Sequence, residues 1–277
     1  MKKAILCCFL LTFAGFLSFA QEHQLVKKWE TDSLMKVPES VLYDAAAQVL
    51  YVTNIDGTDP WAKDGKGSVG KVGLDGKIIN VEWVTGLNSP KGMGMYDGKL
   101  YVADLTDVVV IDIATGAIVE TIAIGGAQGL NDITIDKKGV VYASDSPGKK
   151  VYRIENGEVS VFLYNLQRPN GLLARKKDLF VLDNGILYKV GRDKALNKIT
   201  EGMEGGTDGI EHVRSKEYIV SCWAGSIWYV NSNGTKTNLL DTREQKINTA
   251  DIGYNAKNRI VYVPTFWKNS VVAYELK

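Results

Sequence analysis

Cysteine is nearly absent from this chain of 277 residues: there are three, and two of them, Cys7 and Cys8, fall in the first twenty positions. Cys222 alone remains downstream, so no intramolecular disulfide can form there and stability must come from a packed core. Histidine is equally scarce, with His23 and His212 only, which leaves little material for a histidine-rich metal site or a Ser-His-Asp triad. The charge has no dominant sign. A formal net charge of +1 gives no electrostatic case for nucleic acid or an anionic membrane as partner. Proline occurs only six times, and no long amphipathic helical pattern appears; the nearest candidate, TREQKINTADIG, is short and made of weak helix formers.

What the chain does have is glycine, 28 residues of it, and a composition that is 45% hydrophobic, as expected of a folded protein with many tight turns. The opening stretch MKKAILCCFLLTFAGFLSFA places Lys2 and Lys3 before an apolar run and ends in Ser18-Phe19-Ala20, the form of a cleaved secretory signal. A membrane anchor is the weaker reading, because the run barely reaches the ~20 residues of a span and a cleavage site follows. Residues 1–20 are therefore expected to be a signal peptide, with a periplasmic or secreted location and no membrane association after cleavage.

The remainder repeats. VPESVLYDAAAQVLYVTN, SPKGMGMYDGKLYVADL, GLNDITIDKKGVVYASDS, RPNGLLARKKDLFVLDN, GTDGIEHVRSKEYIVSCW and NTADIGYNAKNRIVYVPTF each read as strand, polar turn, strand. A third strand follows each (VGKVGL, VVVIDI, KVYRI, ILYKV, SIWYV, VVAYEL), and turns such as LDGK, ATGA, ENGE and SNGT lead most units into a fourth. The polar residues that begin the units, Glu39, Lys91, Asn131, Asn170, Asp208 and Asp251, stand 52, 40, 39, 38 and 43 residues apart. Four of those intervals fall near the ~40–50 residues of a propeller blade. The long one contains an insertion, GTDPWAKDGKGS. The sixth unit ends at Lys277 after three strands, and HQLVKKWETDSL, near residues 24–34, is expected to supply its fourth. The predicted fold is all-β: residues 21–277 form one six-bladed β-propeller domain of four-stranded blades, closed by the N-terminal strand of the mature chain. An open pair of β-sandwiches is the competing fold, and it leaves the even spacing without a cause.

Equivalent positions on the innermost strands of a propeller form a ring around its axis. Glu39, Lys91, Asn131, Asn170, Asp208 and Asp251 are thus expected to converge, an oxygen-rich set suited to a hard divalent cation. Calcium is favoured; magnesium, manganese and zinc are the alternatives. The plainer view is that Asn and Asp before Gly are ordinary turn residues, and for PNG or TDG alone it is the better one. Asp104, Asp145 and Asp183 share the end of the second strand, as Asn54 does, and read as turn caps. Cys222 holds the same place and reads as a packed small residue. His212 follows Asp208 by four positions and reads as a core or channel-wall residue that could share its face.

PESVLYD, LNDITID, PNGLLA and TDGIEHV resemble the blade starts of the senescence marker protein, gluconolactonase and regucalcin family. That resemblance, over roughly residues 37–277, implies a six-bladed propeller with one divalent metal in its channel and, in many members, hydrolysis of sugar lactones. Carried over, it assigns Glu39, Asn170 and Asp208 as metal ligands, Asp208 as the proton acceptor in catalysis, and Asn131 as a substrate contact. Two departures stand out. Gly129 takes the place where many lactonases of the family carry a sugar-holding Arg, and Lys91 adds a cation to the ring, to bind an anionic substrate or to balance carboxylates. Among the aromatics, Trp61 in the insertion reads as a lid, Trp223 and Trp267 as rim or inter-blade packing, and Trp83 and Trp228 as core. The sequence thus points to a metal-dependent hydrolase of a sugar lactone or related cyclic ester, with Lys91, Asn131, Trp61 and Trp223 contacting a small-molecule substrate. The alternative is a non-catalytic propeller that binds a sugar, peptide or protein at its channel face; a lyase or epimerase on the same metal is weaker still.

Overall fold

A computed structural model describes residues 23–277, so the signal-peptide segment lies outside the described residues. These residues form six four-stranded antiparallel sheets, each built from strands consecutive in the chain except the last. The innermost strands are Pro38–Asp44, Pro90–Tyr96, Leu130–Ile135, Pro169–Arg175, Thr207–Arg214 and Gly253–Asn255, which define blades one to six. Among the described residues the single helical element is one short 3₁₀ turn, Phe266–Lys268, and TREQKINTADIG contains no helix.

Local chemistry explains the hairpins. Asp97-Gly98 and Asn156-Gly157 both take positive φ at their two residues, 48° and 72°, 53° and 80°, as a tight two-residue hairpin turn requires. Each blade's second and third strands carry β-branched and aromatic side chains that are buried between neighbouring sheets. One cluster joins Tyr51 and Val69 of blade one to Leu100 and Val102 of blade two. Another joins Ile219 and Tyr229 of blade five to Val261 and Val263 of blade six. Each such fully buried aliphatic side chain is worth about 1.5–3 kcal/mol.

Closure follows the expected plan. Leu25–Glu30 pairs antiparallel with Val271–Leu276, completing the blade that also holds Ile260–Pro264 and Gly253–Asn255. On the axis side, a parallel bridge links Ser40 to Asp251: the Val41 amide donates to Asp251 O and the Asp251 amide to Glu39 O.

One irregularity recurs and places the site. In blades one to five the ladder between first and second strands slips at the same point, between Pro38 and Ser40, Pro90 and Met93, Leu130 and Ile133, Pro169 and Leu172, and Thr207 and Ile210. Such bulges suspend the strict alternation of faces, and they cluster beside binding sites. Second-strand hydroxyls hold three of the bulged backbones, with Thr53, Ser144 and Ser221 accepting from the amides of Ser40, Asp132 and Gly209. Glycine is needed where the bulges meet. A Cβ at Gly171 would come within 3.0 Å of the Asp208 carbonyl oxygen, and one at Gly209 or Gly92 equally close to the carboxylates of Asp251 or Asp132.

Candidate functional site

The bulges bring residues to the axis in two layers, and in blades one and three consecutive residues, Glu39 and Ser40, Asn131 and Asp132, fall one in each. The upper layer contains Glu39, Lys91, Asn131, Asn170 and Asp208, which line one cavity of about 210 Å³. The five residues aligned by repeat spacing therefore do converge. Asp251 does not join them. In blades one to five the ring residue precedes by two positions an apolar residue that belongs to a core cluster between blades: Val41, Met93, Ile133, Leu172 and Ile210. In blade six that apolar residue is Ile252, so Ala250 takes the ring position and Asp251 falls in the layer below.

The lower layer is more acidic than the sequence suggested. Ser40, Asp132, Thr134, Glu211 and Asp251 line a second cavity of about 240 Å³ inside the channel. Asp132 clamps blade three to blade four, its two oxygens accepting from the Ile133 and Leu172 amides at 2.6 Å each. Ser40 donates its hydroxyl to Asp251 across the closing seam. The bulge also explains His212, which leaves the channel: Glu211 faces the axis, while the His212 ring nitrogen bonds Ser215 O and its ring meets Tyr218 edge-on.

Burial governs the electrostatics of both layers. Glu39, Lys91 and Asp208 are 4%, 3% and 2% exposed. Desolvation pushes the Glu39 carboxyl well above its ordinary range, against the pull of the Lys91 ammonium, while Asp208 and Asp251 push it further. Asp208 is pushed up to about 8 by burial and by Asp251, against its hydrogen bond from Asn170 and the charges of Lys91 and Arg168. Burial likewise holds Asp251 at about 7, Glu211 at about 8, and Asp132 well above the usual carboxylate range. For Lys91, desolvation lowers the ammonium, and Glu39 and Asp208 oppose it.

Hydrogen bonds orient the ring. Asn170 Nδ2 donates to Asp208 Oδ1 at 2.8 Å, and Asn131 Nδ2 donates to Ser146 Oγ at 3.0 Å. Glu39 Oε2 and Asn131 Oδ1 are buried and have no hydrogen-bond partner among the described residues. Leaving a buried acceptor unpaired costs about 1–3 kcal/mol, so two of them on one cavity mark a place built for a ligand that presents positive charge or donors. Among the described residues no group of three or more His, Cys, Asp or Glu is arranged to hold a metal ion, so a cation here draws on the two amides as well as Glu39 and Asp208. Carboxylate and amide oxygens are the donors that hard cations take.

The rim is aromatic and basic. Trp61, Trp223 and Phe266 line the cavity with Arg168 and Pro60, and Trp223 meets Phe266 edge-on at 5.4 Å between ring centroids. Trp267 packs on Phe266 from outside and does not line the cavity. Trp61 lies over Lys91, its ring centroid 4.3 Å from Nζ. It fits there because residue 129 has no side chain; a Cβ on Gly129 would sit 2.6 Å from the Trp61 ring. Trp83 and Trp228 pack against interior clusters as expected. So do the turn caps: the Asp104, Asp145 and Asp183 carboxylates accept from the amides of Ser89, Gly129 and Arg168. Cys222 is fully buried at the equivalent point, and burial pushes its thiol up, away from reactivity.

Asp132, Glu211, Arg168 and Phe266 are the residues that sequence reasoning missed. Asp132 had a signal, since it follows Asn131 directly and Ile133 marks the register. Arg168 and Phe266 reach the rim from segments flanking the strands, with no periodic signal to find them.

No protein-family model matches this sequence, and no curated protein matches it. Among solved structures, a gluconolactonase candidate from a structural-genomics consortium is 15% identical, with 94% of each chain covered and a TM-score of 0.68. A streptogramin B lyase is 12% identical over 92% of this chain and 98% of that one, with a TM-score of 0.66. A chain of the nidogen/laminin complex is 16% identical over 79% and 84%, with a TM-score of 0.65. At these identities the likeness shows the fold, a six-bladed propeller, and the fold by itself does not select an activity.

Proposed function

We propose that this gluconolactonase-like propeller hydrolyses a sugar lactone or a related small cyclic ester in the upper cavity of its channel. The observation that carries the reading is the pair of orphaned buried oxygens, Glu39 Oε2 and Asn131 Oδ1, on a cavity that Asn170 and Asp208 also line. Glu39, Asn170 and Asp208 would hold a divalent cation, calcium before magnesium, manganese or zinc. When bound, it supplies Lewis-acid polarisation of an ester carbonyl. Asp208, with its proton affinity raised by burial, accepts a proton from the water as the water oxygen bonds to the carbonyl carbon, and returns it to the ring oxygen as the ring C–O bond breaks to give the hydroxy acid. Asn131, its amide held by Ser146, orients the substrate through the free Oδ1. Trp61, Trp223 and Phe266 cover the cavity and exclude bulk water.

Lys91 favours a second reading. Its buried ammonium faces the same carboxylates and would compete with a metal, leaving a pocket that binds a small ligand without turning it over. Metal content of the purified protein at saturating calcium, magnesium, manganese and zinc, measured beside a lactone panel with and without chelator, separates the two. Stoichiometric metal and chelator-sensitive ring opening support the hydrolase. No metal uptake and no ring opening sink it and leave the binding pocket.

A further inference from the structure

Lys91 is 3% exposed, yet its ammonium makes no hydrogen bond and no ion pair among the described residues. Desolvating an ammonium is costly unless a counter-charge or donor-acceptor partner compensates. Here compensation is diffuse: the fields of Glu39 and Asp208, and the face of Trp61 at 4.3 Å. Trp61 itself can lie there only because Gly129 leaves the space, so the indole, the glycine and the lysine form one arrangement. Arg168 adds a second cation at the rim. Its amide is tied to Asp183 Oδ1 at 2.6 Å, which fixes its backbone at the strand entry, and its guanidinium has no ion-pair partner among the described residues.

A charge count on the upper cavity follows. The divalent cation proposed above would balance Glu39 and Asp208, and a neutral sugar lactone would then leave Lys91 and Arg168 unanswered. The deeper carboxylates of Asp132, Glu211 and Asp251 do not answer them, because they line the separate cavity below and form no ion pair with either cation among the described residues. A buried ammonium with no direct partner and an exposed guanidinium beside it, on one cavity of about 210 Å³, suit an anion on the ligand. That volume lies below the ~300 Å³ at which drug-sized pockets begin, which suits one monosaccharide-sized ring.

We infer that the substrate carries a carboxylate beside its lactone ring, as an aldaric or uronic acid lactone does, and that Lys91, seated by Trp61 over Gly129, binds that carboxylate with Arg168. The inference rests on the hydrolase reading for the word lactone, and on the pocket alone for the anion. Lys91 is a specificity residue here.

The test measures binding and turnover separately. Calorimetric titration with galactarate and with galactitol, which share a carbon chain and differ in charge, is expected to give at least a tenfold lower Kd for galactarate. Lys91→Met and Arg168→Gln should each erase most of that preference, and Arg168→Gln, at an exposed position, serves if Lys91→Met does not fold. Turnover is then compared on a galactarate monolactone and on neutral galactono-1,4-lactone. Tight galactarate binding that depends on Lys91 or Arg168 supports the anion site even if neither lactone opens, a result that would sink only the hydrolase. Equal kcat/KM on both lactones, or a galactarate preference that survives both substitutions, overturns the anion site and leaves the hydrolase standing. Absence of galactarate binding also overturns it.

Discussion

Glu211→Gln is expected to stabilise the protein in alkali and leave it nearly unchanged in acid. Glu211 is partly buried on the channel axis, pushed up to about 8 by desolvation first and by Asp251 second, against hydrogen bonds from the backbone of Tyr254 and His212. In the unfolded chain it titrates near the ordinary 4.5. Between those values the folded state binds more protons than the unfolded one, so stability falls as pH rises, and the loss is complete above about 8. At about 1.36 kcal/mol per pH unit, the gap from 4.5 to about 8 sets a ceiling of about 5 kcal/mol. Glutamine keeps an acceptor for the two backbone amides and never ionises. Urea unfolding of metal-free wild type and variant at pH 4.5 and pH 9 compares them directly. The difference should be near zero at the lower pH and reach several kcal/mol in favour of the variant at the higher. Parallel stability curves, or a variant less stable at pH 9, would refute the claim that this carboxylate is desolvated in the channel.

Three further outcomes are expected. Gly171→Ala should cost about 1–3 kcal/mol in urea unfolding, because its Cβ would press on the Asp208 backbone, whereas Gly125→Ala, with no atom within 4 Å, should be close to neutral; equal effects would contradict the tight inner ring. Glu39→Gln should weaken calcium binding at least tenfold by calorimetry, since it removes one of two anionic donors; unchanged affinity would place the cation elsewhere. Cys222 should resist a thiol reagent in the native protein and react fully in denaturant, and rapid native labelling would contradict its burial.

Much of this molecule is legible without coordinates because propeller physics is periodic. Hairpin turns such as Asp97-Gly98, the β-branched second and third strands, and the repeat near 40 residues all report local geometry that each unit must satisfy on its own. The unit that lacks a strand at one end of the chain and the unpaired segment at the other announce their pairing, since an open sheet edge must be covered. Even the role of Asp104, Asp145 and Asp183 is readable, because a carboxylate repeated at the end of the second strand can serve amides one turn away. The lower position of Asp251 is readable too. Matching Ile252 to Ile210 rather than Asp251 to Asp208 restores the register, since the apolar position is what packing between blades constrains most tightly.

Side-chain direction was not legible. Strict alternation allows only one of Asn131 and Asp132 to face the axis, and both do, because the ladder slips between Leu130 and Ile133. The same slip turns Glu211 inward and His212 outward, and a bulge of this kind leaves no periodic trace in the residues around it. Likewise, nothing in the pattern of GTDPWAKDGKGS shows that Trp61 crosses from blade one to cover Gly129 of blade three and the ammonium of Lys91 in blade two. The sequence by itself determined the number of blades, their closure and five of the residues that meet near the axis, because those follow from local pattern and repetition. Only the tertiary structure decided which oxygens lie unpaired, which carboxylates stack beneath them and which cations are left without partners, because those depend on distances between segments far apart in the chain.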